Sequence, residues 1–169
     1  MAELFTLTHA RLTQYARICD LAAPLGLTVD LEFPSFSRIT NLQEAADIVG
    51  CQVAQIAKSL VFREKTTGEP ILVVASGANR VDLKKIEAAT GLKLGRADGN
   101  YVKQQVGFAI GGIPPAGHTR PLETILDPDL QRFDTIWAAA GTPFAVFQLK
   151  PADLEPLTHG RWIPLREES

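Results

Sequence analysis

The residues best suited to chemistry lie in one stretch, Gly107-Phe108-Ala109-Ile110-Gly111-Gly112-Ile113-Pro114-Pro115-Ala116-Gly117-His118, which holds four glycines and two prolines. Glycine lets a ligand approach the main chain closely. Paired prolines stiffen the segment and remove two N–H donors. A bare, rigid loop presents backbone groups at fixed positions, so it can bind a ligand without charged side chains. The same composition also makes an elaborate turn between strands. Lys58 is a second candidate, a cation at the rim of an apolar strand face. Such a lysine can equally pack its stem and keep its amine in water. Third, Ala138-Ala139-Ala140-Gly141 follows Trp137 and leaves room at a strand end. It reads as the floor of a small pocket or as a close packing surface. His118, at the end of the glycine loop, reads as a solvated loop residue or as a catalyst.

Other catalytic signatures are missing. The chain has no GxxxxGK[ST] phosphate loop, no GxSxG around Ser76 and no HExxH. Its three histidines, His9, His118 and His159, are scattered, and Cys19 and Cys51 lie far apart, so no metal ligand set is expected. The composition, 46% hydrophobic and 21% charged in 169 residues, fits one domain with a substantial core. No apolar run approaches the ~20 residues that span a bilayer, and the N-terminal residues do not read as a signal peptide. With two unpaired, inert thiols, a cytoplasmic protein without membrane contact is expected. A net charge of −2 argues against a large non-specific nucleic-acid surface such as a DNA-binding face. It leaves room for a small footprint on one end of a nucleic acid.

These residues need elements to hold them. A helix over 8–23, capped by Thr8, and a strand over 28–33 open the chain. Thr40-Asn41-Leu42-Gln43 has the capping-box pattern for a helix that stops at Gly50, and a further helical turn follows around 53–57. Residues 57–63 alternate as a strand, with Lys58 on the face of Leu60 and Phe62, which should point at the core. After a turn at Thr66-Thr67-Gly68, the apolar run 70–76 reads as a central strand, and the two form an antiparallel hairpin. Asp82 caps a helix ended by Gly91, and Asp98 starts another that ends near Gly107. Strands are expected over 121–126, 135–140 and 144–149, a proline-started turn at Asp127-Pro128, a short helix over 151–157 and a frayed tail at 167–169. Mixed strands and helices with hairpin pairs argue for an α/β (mixed α+β) fold. The expected form is one domain over 1–169 with a curved, mixed, largely antiparallel sheet flanked by helices.

Ile56-Ala57-Lys58-Ser59-Leu60-Val61-Phe62, Val81-Asp82-Leu83-Lys84-Lys85, Gly107 to Pro115 and Leu126-Asp127, in this order, resemble the YbaK family. This is the family of the editing (insertion) domain of bacterial prolyl-tRNA synthetase and its free-standing relatives. The likeness runs over about residues 25–155. It implies a trans-acting aminoacyl-tRNA deacylase that needs no cofactor and protects translation fidelity. The substrate would be a small amino acid on tRNA-Pro, and prolyl-tRNA synthetase would be a candidate partner. By the resemblance, Lys58 serves hydrolysis. Gly111, Gly112, Ile113, Pro114 and Pro115 hold the aminoacyl end of the tRNA through backbone groups, with His118 just past them. Ala139, Ala140 and Gly141 line the amino-acid pocket. The cysteinyl-tRNA deacylase branch carries serine-glycine-glycine at that strand end, so Ala139-Ala140-Gly141 makes a less polar wall here. Lys84, Lys85, Lys93, Arg96 and Lys103 could meet the acceptor stem. The alternative is a non-enzymatic module that recognises an aminoacyl-tRNA end or docks on a synthetase.

Overall fold

In the computed structural model, residues 24, 30–32, 41–108, 110, 112–118, 120–139 and 146–168 are described. The helix expected over 8–23 lies outside them. At the centre stands the run Pro70–Ser76, strand β3, every residue of which is buried. It pairs antiparallel with β2, Ile56–Glu64, from Ala57↔Ser76 to Arg63↔Pro70. Two flanking strands run parallel to these, β5 (Glu123–Leu126) beside β3 and β6 (Ile136–Ala139) beside β2. β7 (Val146–Leu149) and β1 (Asp30–Glu32) extend the β6 side antiparallel, and β8 (Arg161–Trp162) extends the β5 side parallel. The sheet order is β1-β7-β6-β2-β3-β5-β8, with β4 (Leu94–Gly95) also on β2. This is a mixed sheet flanked by helices, as expected from the sequence.

Side-chain alternation along β3 builds two cores. Leu72 and Val74 join Leu126, Val102, Val106, Phe108, Ile113 and Ala116 on one face. Ile71, Val73 and Ala75 join Ile86, Leu94, Ile125, Ile163 and Leu165 on the other. The glycine loop is therefore core on the first face, through Phe108, Ile113 and Ala116. The helices α1 (Leu42–Val49), α2 (Leu83–Thr90), α3 (Gly99–Val106) and α4 (Leu154–Thr158) lie against these cores and a smaller one around Ala45, Ala46 and Ile56. Their ends follow local chemistry. Asp82 and Asp98 accept backbone N–H bonds at the starts of α2 and α3, and Gly91 and Gly107 end them in left-handed conformation. Among the described residues no helix is long and apolar enough to cross a membrane.

Four details differ from the sequence reading. The cap of α1 is Asn41, whose side chain accepts from the Glu44 N–H, rather than Thr40. The turn at Val53–Gln55 is a 3-10 turn that runs directly into β2. Strands β4 and β8 are two residues long and exist only through their pairing. The tail is tied down: the Glu167 N–H donates to Arg80 O, and Lys85 pairs with Glu168 at 2.8 Å.

β2 has an open stretch. β6 pairs with it at Ile56 and Ala57, and β4 at Arg63 and Glu64, so between them no described strand runs along that side. At its far end Glu64 organises the hairpin. Its carboxylate accepts from the Thr66 and Thr67 N–H groups, the Thr67 hydroxyl and the Lys93 N–H. These bonds, the Thr67 N–H first, hold its pKa below the ordinary carboxylate value. A depressed carboxylate stabilises the fold above its unfolded pKa, and the effect is lost as pH falls through the folded value. Glu64→Gln therefore lowers the melting temperature at neutral pH. The gap to the parent chain narrows on acidification, which calorimetry across pH reads directly.

Candidate functional site

The site is built around the start of β2. Lys58 is half-buried, on the face shared with Ala75, its β3 partner. Ala138 pairs with Ala57 in parallel register, so Ala139 stands next to Lys58 on the neighbouring strand. Ala140 and Gly141 lie outside the described residues.

The Lys58 ammonium donates to the backbone carbonyl of Asn79 at 2.5 Å. That carbonyl is fixed by a buried polar cluster. Asn79 Nδ2 donates to Asp127 Oδ2 and to Asp129 Oδ2, each at 2.8 Å. The Ser76 N–H donates to the same Asp127 oxygen at 3.0 Å, and the Asp129 N–H to the other at 2.9 Å. Asp127 is 1% exposed and Asn79 8%. The turn closes tightly because Gly77 passes over the 3-10 turn: a Cβ there would meet Val53 O at 2.4 Å. Burial pulls the Lys58 pKa below the ordinary lysine value; the Asp127 carboxylate opposes this, and Arg80 adds to it.

Next to Lys58 the strand opens into a groove of about 630 Å³. Ser59 to Phe62 form one wall, Arg96 to Gly99 and Val102 another, and Ile110 and Ile113 of the glycine loop the third. Leu60 is half-buried in this groove rather than in a core, while Phe62 packs on the second core. Ser59 Oγ is hidden from solvent and has no hydrogen-bond partner among the described residues. Ile110 is 54% exposed, a large apolar side chain at the groove. The walls are mostly apolar, with Arg96 and Asp98 at one side.

Gly112, Ile113, Pro114 and Pro115 are buried, and Gly111 lies outside the described residues. His118 holds this loop from behind. Its Nε2 is 2.7 Å from Pro114 O, and its ring stands edge-on to Phe108 at 6.1 Å. Since the carbonyl can only accept, Nε2 carries the proton. Burial holds the His118 pKa below the ordinary histidine value, against the opposing effect of Pro114 O. His118 faces a second cavity of about 400 Å³ on the far side of the loop, with Leu122, Leu157 and His159.

The structure thus joins Ile113 to the Ser59–Phe62 edge in one groove, and sets Ala139 next to Lys58. It does not bring His118 to that groove. Nor does it aim the Lys58 ammonium across it: that group donates to the Asn79 carbonyl, and Lys58 is not part of the groove wall. Sequence reasoning passed over Asn79, and it gave Asp127 and Ser59 no role beyond a turn and the family-like stretches that contain them.

Comparison with known proteins gives the family. The model of the aminoacyl-tRNA editing domain matches residues 37–157. The uncharacterized protein YwhH of Bacillus subtilis (strain 168) is 35% identical over 124 residues, 73% of this chain and 78% of YwhH. EbsC of Enterococcus faecalis (strain ATCC 700802 / V583) carries a provisional name as a Cys-tRNA(Pro)/Cys-tRNA(Cys) deacylase. It is 28% identical over 128 residues, 74% of this chain and 76% of its own. A crystal structure of a protein provisionally described as a trans-editing enzyme for prolyl tRNA synthetase superposes with a TM-score of 0.83. It is 38% identical and covers 92% of this chain and 98% of its own. The hypothetical protein APE2540 has the same fold, with a TM-score of 0.81 at 22% identity, spanning 89% of this chain and 99% of its own. With the match to the family model extending over most of its length, this chain belongs to the aminoacyl-tRNA editing domain family.

Proposed function

We propose that the protein hydrolyses the ester of a mischarged aminoacyl-tRNA in trans, removing a small amino acid, with tRNA-Pro as the expected carrier. The observation that carries this reading is the groove in which Ile113 of the glycine loop faces the open edge of β2, next to Lys58. EbsC and the trans-editing protein, whose names point to deacylation and to prolyl tRNA synthetase, lend it support. That synthetase is therefore the proposed docking partner.

An aminoacyl ester is already activated, so placement of ester and water does much of the work. Water attacks the carbonyl carbon, and the bond from that carbon to the ribose oxygen breaks. The proton passes to the leaving oxygen, giving a free amino acid and a tRNA with a free 3′ end. The neighbouring ribose hydroxyl can relay the proton, so the chain needs no nucleophile of its own. Backbone N–H groups at Gly112 and Ile113 are the candidate donors to the developing oxyanion, since Pro114 and Pro115 have none. Lys58 would turn from the Asn79 carbonyl toward the carbonyl oxygen or the terminal phosphate. Ala139, Ala140 and Gly141 are proposed as the side-chain pocket, where one methylene is worth roughly 1–3 kcal/mol of discrimination. His118 is proposed to act through Pro114, as the staple of the loop.

The bond from Lys58 to Asn79 favours a second reading, in which the groove binds an aminoacyl-tRNA end without cleaving it. Amino-acid release from a panel of mischarged tRNAs decides between them. The hydrolase releases a small amino acid above the uncatalysed rate, and Lys58→Ala cuts release by on the order of 10²–10³ with melting unchanged. Saturable binding with no release selects the second reading.

The Lys58 contribution has a defined pH course. An ammonium is present below its pKa, and this one is depressed, so the enzymatic rate over background falls at a lower pH than an ordinary lysine would set. Single-turnover rates across alkaline pH measure it; an undiminished rate well above that range would remove Lys58 from catalysis. His118→Ala is expected to cost roughly 1–2 kcal/mol of stability and raise KM more than it lowers kcat, with Gln restoring part of both. A histidine held neutral by burial stabilises the fold above its unfolded pKa, and that is lost as pH falls through the folded value. The Gln variant should lack this acid-side loss in thermal melts.

A further inference from the structure

Pairing of β4 with the end of β2 gathers charge that the linear sequence keeps apart. Arg63 lies opposite Gly95, and the Lys65 N–H donates to Lys93 O at 2.8 Å. Arg63, Lys65, Lys93 and Arg96 are all exposed. Arg96 also lines the groove between β2 and the glycine loop. The Arg63 guanidinium lies 5.4 Å from the centre of the Tyr101 ring, on the helix that supplies Val102 to that groove.

None of the four makes an ion pair among the described residues, whereas Lys85, Arg120, Arg161 and Arg166 each do. Nearby carboxylates are engaged elsewhere. Glu64 is buried under four hydrogen bonds, Asp98 caps α3, and Glu69 pairs with Arg120. In a chain of net charge −2, an unneutralised cluster of four cations at one end of a groove is a local excess with a definite address. It differs from the cluster that linear proximity suggests. Lys85 is held by Glu168 and the Arg166 carbonyl, while Arg63 and Lys65 come in from β2.

We propose that Arg63, Lys65, Lys93 and Arg96 form the phosphate-binding surface for the acceptor-stem duplex of an RNA whose 3′ end enters the adjoining groove. The inference rests on the proposed deacylase reading for the identity of the RNA, but its test does not need turnover. Exposed cations that neutralise duplex phosphates release counterions, so affinity falls with salt by a slope set by the number of contacts. An apolar groove beside them suits an unpaired end, whose bases carry little screening charge of their own.

The probe is an uncharged RNA hairpin with a single-stranded 3′ end, with binding followed by fluorescence anisotropy between about 50 and 200 mM salt. Lys65→Gln, Lys93→Gln and Arg96→Gln are each expected to weaken binding and to reduce the log–log salt slope by about 0.7–0.9. Lys150→Gln, on the loop after β7, should keep the wild-type slope. Melting curves verify that the variants fold, as exposed side chains allow. Wild-type slopes in the three patch variants would overturn the proposal, as would tighter binding to phosphatidylserine vesicles than to the hairpin. If wild-type protein binds the hairpin with the expected slope yet releases no amino acid, the hydrolase reading falls and this surface stands. If release is intact and the variants bind as wild type, the surface alone is refuted.

Discussion

One buried carboxylate holds the working end of the molecule together. Asp127 directly follows β5, and its oxygens take the N–H of Ser76 at the end of β3, the amide of Asn79 and the first N–H of the turn that follows it. A charge hidden to this degree is tolerable only when hydrogen bonds replace its lost water. Here they do, and two of the three, from Ser76 and Asn79, come from a segment about fifty residues distant. The cluster therefore fixes the ends of two parallel strands and the turn between β3 and α2 relative to each other. Lys58 reaches that turn, so the placement of its ammonium depends on a carboxylate to which it makes no hydrogen bond.

The glycine loop shows the complementary strategy. Most of it is buried, and its rigidity comes from packing as much as from proline. Phe108, Ile113 and Ala116 are part of a core, and His118 closes it through Pro114 O. A loop anchored in this way can offer backbone groups to a ligand without reorganising, which is what stabilisation of a developing charge asks for. The loop also divides two cavities, and only the one containing Ile113 touches β2.

Much of the fold was legible because its signals are local. The aspartate caps and glycine stops of α2 and α3 and the unbroken apolar run of β3 each depend on neighbours in sequence. Strands β4 and β8 were not legible, because two residues carry no period and become strands only by finding partners. Asn41 displaced Thr40 as a cap, since both residue types suit the position and geometry chose between them. In the site, the type of each residue was readable but not its direction. The strand period places Lys58 on the face of Leu60 and Phe62, but the acceptor of its ammonium, Asn79 O, belongs to a turn that Asp127 holds from 48 residues away.

The open stretch of β2 has a consequence for how the chain behaves in company. A strand side without a partner can recruit a strand from another molecule and seed aggregation. Here the gap is only a few residues long, bounded by β6 and β4, with Lys58 and Arg63 near its two ends. Across from it stand Ile110 and Ile113 of the glycine loop, in the path a foreign strand would take. The feature that leaves space for a ligand is thereby shaped to refuse a neighbour's backbone, which lets a cleft persist at the middle of a sheet.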